Sequence, residues 1–131
     1  MIISVIMLAA LDVLTKDNYD FVYVHLEGPD EMGHQGSIER KVQAIEWLDE
    51  RIIKPIVDGL NAAGEDFRML ILPDHPTPIR IRTHSCDPVP YLLYDNRKKL
   101  GSQEDYSEVT AAASGHVWKD GYRLMDYLLE D

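Results

Sequence analysis

The stretch Asp20-Phe-Val-Tyr-Val-His-Leu-Glu27-Gly-Pro-Asp30-Glu-Met-Gly-His34 decides how this chain is interpreted. Residues 20–27 are rich in β-branched and aromatic side chains, which favours a buried strand. Asp30 and His34 follow it four residues apart, so one tight turn can direct both at one ion, with Gly33 allowing a sharp bend. A carboxylate oxygen and an imidazole nitrogen suit Zn or Mn. The stretch therefore predicts part of a metal site beyond a strand end.

Two further clusters of potential metal ligands lie later in the chain. Asp74 and His75 directly follow a second predicted strand over 66–73, and His84 lies in the loop beyond. At a strand end, an adjacent pair can reach one metal, or each member can serve a different one. Each cluster alone is more often a turn or a hydrogen-bonded surface pair than a metal site. Their combination suggests a two-metal site, the arrangement suited to moving phosphoryl groups.

The other predicted elements alternate between helix and strand. An apolar helix is expected over 3–15, and a long helix begins at Ile38 after Ser37 as its N-cap. Pro55 should kink or split that helix near Ile53, and Gly64 should end it. The chain then predicts a loop over 76–90, a strand over 90–95, a polar loop over 96–107 and helices over 106–115 and 121–129. This order predicts an α/β fold with an at least partly parallel sheet flanked by helices.

Composition limits the class of protein and its partners. The chain has 131 residues, enough for one domain, and a net charge of −10. That charge argues against a nucleic-acid or anionic-membrane partner, while bound divalent cations would offset part of it at a phosphate site. The single cysteine, Cys86, excludes an internal disulfide and fits a reducing cytoplasm. The apolar run over 1–10 lacks a basic start and is too short for a membrane span, so secretion is only the minor alternative.

Three ordered motifs carry a resemblance to a known family. They are Glu27-x-Pro-Asp-Glu-x-Gly-His34-x-Gly36, Leu72-Pro-Asp-His75 and Arg82-Thr-His84-x-x-Asp-Pro-Val-Pro90. Together they resemble the C-terminal part of the cofactor-independent phosphoglycerate mutases, archaeal-type branch, within the alkaline phosphatase-like metalloenzymes. The likeness runs from about Ala9 to Tyr94, with a weaker tail beyond. The sequence Pro76-Thr-Pro78 with Arg82-Thr-His84 also resembles a bacterial sub-branch proposed to act as homoserine kinases.

The resemblance implies a role for each candidate ligand. Asp30, His34 and His84 match the residues that hold one divalent metal, and Asp74 and His75 match those that help to hold a second. The two ions would be Mn or Zn, with Mg possible. The family uses a serine or threonine nucleophile and a further Asp ligand from an N-terminal segment that has no match in this chain. No catalytic nucleophile is therefore expected here, and the substrate implied for the parent is a phosphorylated small molecule of glycolysis.

These implications define what the chain is expected to be. Residues 1–131 are interpreted as a single partial domain, with part of an alkaline phosphatase-like sheet, from the C-terminal end of a larger cytoplasmic metalloenzyme. Alone, it should be inactive and should self-associate. The alternatives are a homoserine kinase-like phosphotransferase of the same family and a non-catalytic metal-binding or assembly fragment.

Four charged side chains flank the ligand clusters. Glu27 and Glu31 could orient a ligating histidine, or they could be solvated carboxylates. Arg80 and Arg82 could meet a phosphate as fork-shaped donors, or they could offset the acidic surroundings. The sequence leaves both pairs of readings open.

Overall fold

The computed structural model describes residues 2–98 and 104–130. Contacts divide these residues into two compact units. The first comprises residues 2–65 and 77–85, and the second comprises residues 66–76, 86–98 and 104–130. None of the described helices is both long and apolar enough to cross a membrane.

The first unit is helical. It contains α1 (Ile2–Thr15), α2 (Gly28–Gln35), α3 (Ile38–Leu48), a π-helical segment (Asp49–Ile53) and α4 (Lys54–Ala63). Helix α1 packs against α4 and the π segment, while α2 packs against α3. Among the side chains of this unit whose burial is described, the buried apolar ones are Ala10, Ile52, Ile56 and Leu60. The predicted helix over 3–15 is confirmed by α1.

The predicted long helix from Ile38 is also confirmed, and so is its predicted interruption near Ile53. The Ser37 hydroxyl accepts a hydrogen bond from the backbone N–H of Arg40 at 3.4 Å and so caps the start of α3. Pro55 has no N–H to donate, and its ring crowds the carbonyl one turn earlier. The helix absorbs this conflict by widening into the π segment just before the proline. Gly64, with φ 75°, ends α4 in the left-handed conformation.

Residues 21–27 carry no regular secondary structure. The side chains of Phe21, Tyr23 and His25 are exposed, and those between them are half-buried. The predicted buried strand over 20–27 is therefore wrong in this structure. β-Branched and aromatic residues favour a pleated surface, but a strand also needs a neighbouring strand to pair its backbone N–H and C=O groups. Among the described residues, β-pairing occurs between two other segments.

The second unit contains that pair of strands. Strand β1 (Arg68–Ile71) runs antiparallel to β2 (Leu92–Asp95), with Arg68 opposite Asp95 and Ile71 opposite Leu92. Helix α5 (Glu108–Ser114), a 3-10 turn (Gly121–Arg123) and α6 (Leu124–Leu129) follow. The predicted strands over 66–73 and 90–95 are confirmed in shorter form, as are both C-terminal helices. The loop over 76–90 is confirmed, and residues 99–103 of the predicted loop over 96–107 lie outside the described residues.

Asp95 is a buried charged residue of the second unit and is only 8% exposed. Its carboxylate accepts hydrogen bonds from the guanidinium of Arg97 at 3.0 Å and from Arg68 Nε at 3.2 Å. The Arg97 bonds hold the pKa of Asp95 well below its usual range, because they stabilise the charged carboxylate. Arg68 Nη1 also donates to the carbonyls of Tyr127 and Leu128, at 3.3 Å each. One arginine therefore ties β1 to β2 and to the carbonyl end of α6.

The sequence prediction of an α/β fold is confirmed. The sheet within the described residues is two-stranded and antiparallel.

Candidate metal centre

Helix α2 positions the first two candidate ligands. Pro29 lies in its first turn, where a missing N–H costs nothing. Asp30 and His34 are four residues apart on this helix and therefore share one face. His34 Nε2 lies 3.4 Å from Asp30 Oδ2. A helical turn, and not the tight bend expected from the sequence, brings the two side chains together.

The bend occurs three residues later than predicted. Gly36, with φ 71°, ends α2 in the left-handed conformation. Gly33 instead lies inside the helix and is buried. A Cβ atom at residue 33 would lie 2.7 Å from the carbonyl oxygen of Thr77 and 3.0 Å from Lys41 Nζ. Gly33 is thus required for space, because the loop over 77–85 lies directly against it.

That loop supplies the third candidate ligand. His84 Nε2 lies 3.2 Å from His34 Nε2 and 3.4 Å from Asp30 Oδ1. One ligand atom from each of the three residues fits in a cluster whose members lie within 4.8 Å of one another. The structure therefore brings together Asp30, His34 and His84, although 50 positions separate the two histidines.

The backbone of the same loop orients His34. His34 Nδ1 lies 3.0 Å from the carbonyl oxygen of Arg82. A carbonyl oxygen can only accept, so Nδ1 carries the proton and the lone pair of neutral His34 resides on Nε2, which faces the cluster. Histidines that bind metals commonly have such a partner on the other ring nitrogen. Arg82 has φ 53°, a left-handed conformation that is uncommon for a residue with a side chain.

The spacing of the three residues fits a small divalent cation. With metal–ligand bonds of about 2.0–2.1 Å, neighbouring ligand atoms of a tetrahedral zinc site are about 3.3–3.4 Å apart. The distances here are 3.2 Å between the two Nε2 atoms, 3.4 Å from His34 Nε2 to Asp30 Oδ2 and 3.4 Å from His84 Nε2 to Asp30 Oδ1. The two histidines therefore face different oxygens of the same carboxylate. The side chains of Asp30, His34 and His84 are 34%, 42% and 51% exposed, so an ion could reach them from solvent. Three ligands leave a fourth position for water or substrate.

Asp74 and His75, the predicted ligands of a second metal, belong to the second unit. They follow β1 in a bend, where His75 Nε2 lies 3.5 Å from Asp74 Oδ2. The backbone N–H of His75 also donates to Asp74 Oδ1 at 3.2 Å. The two side chains therefore face each other and not opposite sides of a strand. Their role at a second metal stays a prediction.

The four flanking charged residues differ in what they contact. Glu27 is the exposed N-cap of α2 and makes no side-chain capping bond, and Glu31 is exposed in the first turn. Arg80 is exposed in the loop. The guanidinium of Arg82 lies over Gly36, and its carbonyl oxygen accepts from His34. Phosphate binding by Arg80 and Arg82, and an orienting role for Glu27 and Glu31, stay predictions.

Sequence reasoning did not assign a role to Thr77, which is 4% exposed. Its hydroxyl donates to Asp30 Oδ1, and its carbonyl oxygen accepts from Lys41 Nζ at 2.6 Å. The available signal was the position of this small polar residue between Pro76 and Pro78, immediately after the Asp-His pair. No periodic pattern marks such a contact, because it joins segments far apart in the chain.

The fold and this cluster agree with the class to which the chain belongs, the metalloenzyme superfamily, whose family model matches residues 2–119. The class implies divalent metal use and an alkaline phosphatase-like fold. This match confirms the resemblance carried by the three motifs at the level of the superfamily.

Several curated proteins are similar to the chain. The 2,3-bisphosphoglycerate-independent phosphoglycerate mutase of Methanothrix thermoacetophila is 44% identical over 121 residues, which are 92% of this chain and 30% of that protein. The Methanosarcina barkeri mutase of the same name is 47% identical over 109 residues, covering 83% of this chain and 27% of that protein. A probable mutase of Geobacter sulfurreducens is 42% identical, covering 93% and 30%. The chain thus spans about 30% of the length of these relatives. No solved structure matches it.

Proposed function

We propose that residues 1–131 form the metal-binding part of a 2,3-bisphosphoglycerate-independent phosphoglycerate mutase. Such an isomerase interconverts 3-phosphoglycerate and 2-phosphoglycerate through a phosphoenzyme. The observation that carries the proposal is the convergence of Asp30, His34 and His84, the residues that match the family's ligands, at the spacing of one metal site. The relatives described above all bear mutase names, which favours a mutase over the homoserine kinase-like alternative.

In this proposal, Asp30, His34 and His84 hold one divalent ion, and Asp74 and His75 help to hold a second. The ligand set suits Zn or Mn, with Mg possible. Divalent ions held by these residues would supply electrostatic stabilisation to a phosphoryl group.

The protein residues then have defined tasks. His34 and His84 must present unprotonated Nε2 atoms, and the hydrogen bond from His34 Nδ1 to the Arg82 carbonyl selects the tautomer in which Nε2 can bind a metal. The carboxylate of Asp30 supplies negative charge to the ion. Arg80 and Arg82 would donate to the phosphate of the substrate. The nucleophilic hydroxyl, in this proposal, comes from outside residues 1–131.

The fold, partners and location of the parent protein are proposed on the same basis. Residues 1–131 would form a single partial domain within an alkaline phosphatase-like fold whose sheet is at least partly parallel. The net charge of −10 disfavours nucleic acid and anionic membrane as partners. Cys86 has an exposed thiol and no internal disulfide partner. This fits a protein that functions in the reducing cytoplasm.

A segment exchange tests this function. The 131-residue chain alone is expected to show no conversion of 3-phosphoglycerate with added Mn²⁺, because it lacks the attacking hydroxyl. Substituted for the matching segment of the Methanothrix thermoacetophila mutase, the same chain should support activity. His84→Ala in that chimera should lower activity at least about 100-fold, since even residues that only orient a ligand cost about 10–100-fold.

The unexchanged mutase serves as the positive control in the same coupled assay. Robust turnover by the isolated chain would contradict the placement of the nucleophile. A folded chimera that is inactive, or one that keeps its activity with His84→Ala, would contradict the proposed function.

We also propose that copies of the isolated chain associate with one another. Ile38, Val42 and Ile45 recur along one face of α3 and are 66%, 50% and 50% exposed. Contiguous apolar faces of this kind favour association. Light scattering should show dimers or larger species, and Val42→Lys should shift them toward monomer, whereas Val109→Lys, at an exposed site on α5, should not. A monomer at every concentration would contradict self-association.

A further inference from the structure

Thr77 is a buried polar residue at the edge of the candidate metal centre. It is 4% exposed, whereas the three candidate ligands lie at the surface. Its hydroxyl donates a hydrogen bond to Asp30 Oδ1. Asp30 Oδ2 is the oxygen that faces His34 Nε2 at 3.4 Å. Asp30 Oδ1, the oxygen that accepts from Thr77, lies 3.4 Å from His84 Nε2. The threonine therefore bonds one carboxylate oxygen of Asp30 while each of the two oxygens faces one of the histidines.

The position of Thr77 is itself fixed from several directions. Its carbonyl oxygen accepts from Lys41 Nζ at 2.6 Å. Its Cγ2 methyl group packs against Gly33, where a Cβ atom would come within 3.0 Å. The flanking residues Pro76 and Pro78 restrict the backbone on either side. The hydroxyl is thus held in place by contacts that do not involve a metal.

We propose that Thr77 is a positioning residue of the metal centre. Its hydroxyl holds the Asp30 carboxylate at the orientation in which Asp30, His34 and His84 can bind one divalent cation together, and Lys41 holds Thr77 in place. The inference rests on the metal site proposed above. The physical reason is that a carboxylate free to rotate must be ordered when the ion binds, whereas one already oriented binds without that cost.

The test compares Zn²⁺ binding by calorimetry to the 131-residue chain and its variants. Thr77→Val keeps the shape of the side chain and removes the hydroxyl, and it is expected to weaken Zn²⁺ binding by about 10–100-fold. Thr77→Ser keeps the hydroxyl and should restore most of the affinity. Thr15→Val is the matched control, because it removes another threonine hydrogen bond of the first unit, to the carbonyl of Leu11 at 2.7 Å. It should leave Zn²⁺ affinity unchanged.

A spectroscopic readout separates positioning from simple destabilisation. Co²⁺ in place of Zn²⁺ reports the geometry of its ligands through visible absorption. The Thr77→Val spectrum should differ from that of the unsubstituted chain, while the spectra of Thr77→Ser and Thr15→Val should not. If Thr77→Val does not fold, Lys41→Met tests the same contact from the other side, and a weaker Zn²⁺ affinity is expected there too.

The possible results discriminate between the two proposals. If the unsubstituted chain binds no Zn²⁺, the proposed metal centre fails, and this inference with it. If the chain binds Zn²⁺ and His34→Ala does not, but Thr77→Val and Lys41→Met bind like the unsubstituted chain, only the role of Thr77 is overturned. Equal losses in Thr77→Val and Thr77→Ser would likewise overturn it, because the hydroxyl would then be irrelevant.

Discussion

His34→Ala is expected to abolish Zn²⁺ binding by this chain, whereas His75→Ala should leave most of it intact. His34 offers Nε2 to the cluster, 3.2 Å from His84 Nε2 and 3.4 Å from Asp30 Oδ2. Without it, two ligands remain, which rarely suffice for stable occupancy. The loss should exceed about 100-fold, the upper end of the cost of removing a residue that only orients a ligand. Isothermal titration with Zn²⁺ measures both affinities.

Titration should also show at most one site of useful affinity per chain, because Asp74 and His75 offer a second ion only two ligands. Affinity should fall as the pH is lowered, since a proton and a metal ion compete for the same imidazole nitrogen. His116→Ala, at an exposed histidine outside the ligand clusters, is the matched control and should bind normally. If His75→Ala removes binding and His34→Ala spares it, the division of ligands between the two ions is wrong.

Gly33→Ala should lower both stability and metal affinity, while Gly28→Ala should lower neither. Both glycines lie in α2. A Cβ atom at residue 33 would lie 2.7 Å from the Thr77 carbonyl oxygen, whereas one at residue 28 would lie 3.9 Å from Ala44 Cβ, an ordinary contact. Overpacking costs about 1–3 kcal/mol, and alanine recovers up to about 1 kcal/mol as a better helix former. Because the nearest atom is a backbone oxygen that cannot move away cheaply, the overpacking cost lies toward the upper end of its range, and the expected net loss for Gly33→Ala is about 1–2 kcal/mol.

Urea denaturation of the metal-free chain measures the stability difference, and Zn²⁺ titration measures the affinity. The affinity should fall because the added methyl group displaces Thr77 from Asp30. Equal effects of the two substitutions would show that helix propensity, and not space beside the loop, governs residue 33.

The elements that sequence predicted well are those with local signals. The helix from Ile38 to Ala63 is marked by a capping serine, apolar spacing, a proline and a terminal glycine, all read within a few residues of their effect. The pairing of Asp30 with His34 is equally local, since helical geometry joins residues four apart.

The elements that sequence predicted poorly depend on distant partners. Residues 20–27 have the composition of a strand, but composition does not supply the neighbouring strand that pairing requires. The contact between Thr77 and Asp30 spans 47 positions, and no periodicity in the sequence encodes it. Gly33 illustrates an intermediate case, because its importance was predictable but its reason was not. It provides room for a loop and not a bend in the backbone.

The path of the chain through its two units determines when the candidate metal centre is completed during synthesis. The first unit takes in residues 2–65, and the chain returns to it only with residues 77–85. Ribosomes add residues at about 5–20 per second and N-terminal segments fold first. Asp30 and His34 therefore emerge well before His84. During that interval the nascent helix α2 presents only two of the three candidate ligands. Capture of an ion by all three residues must wait until the returning loop has been made.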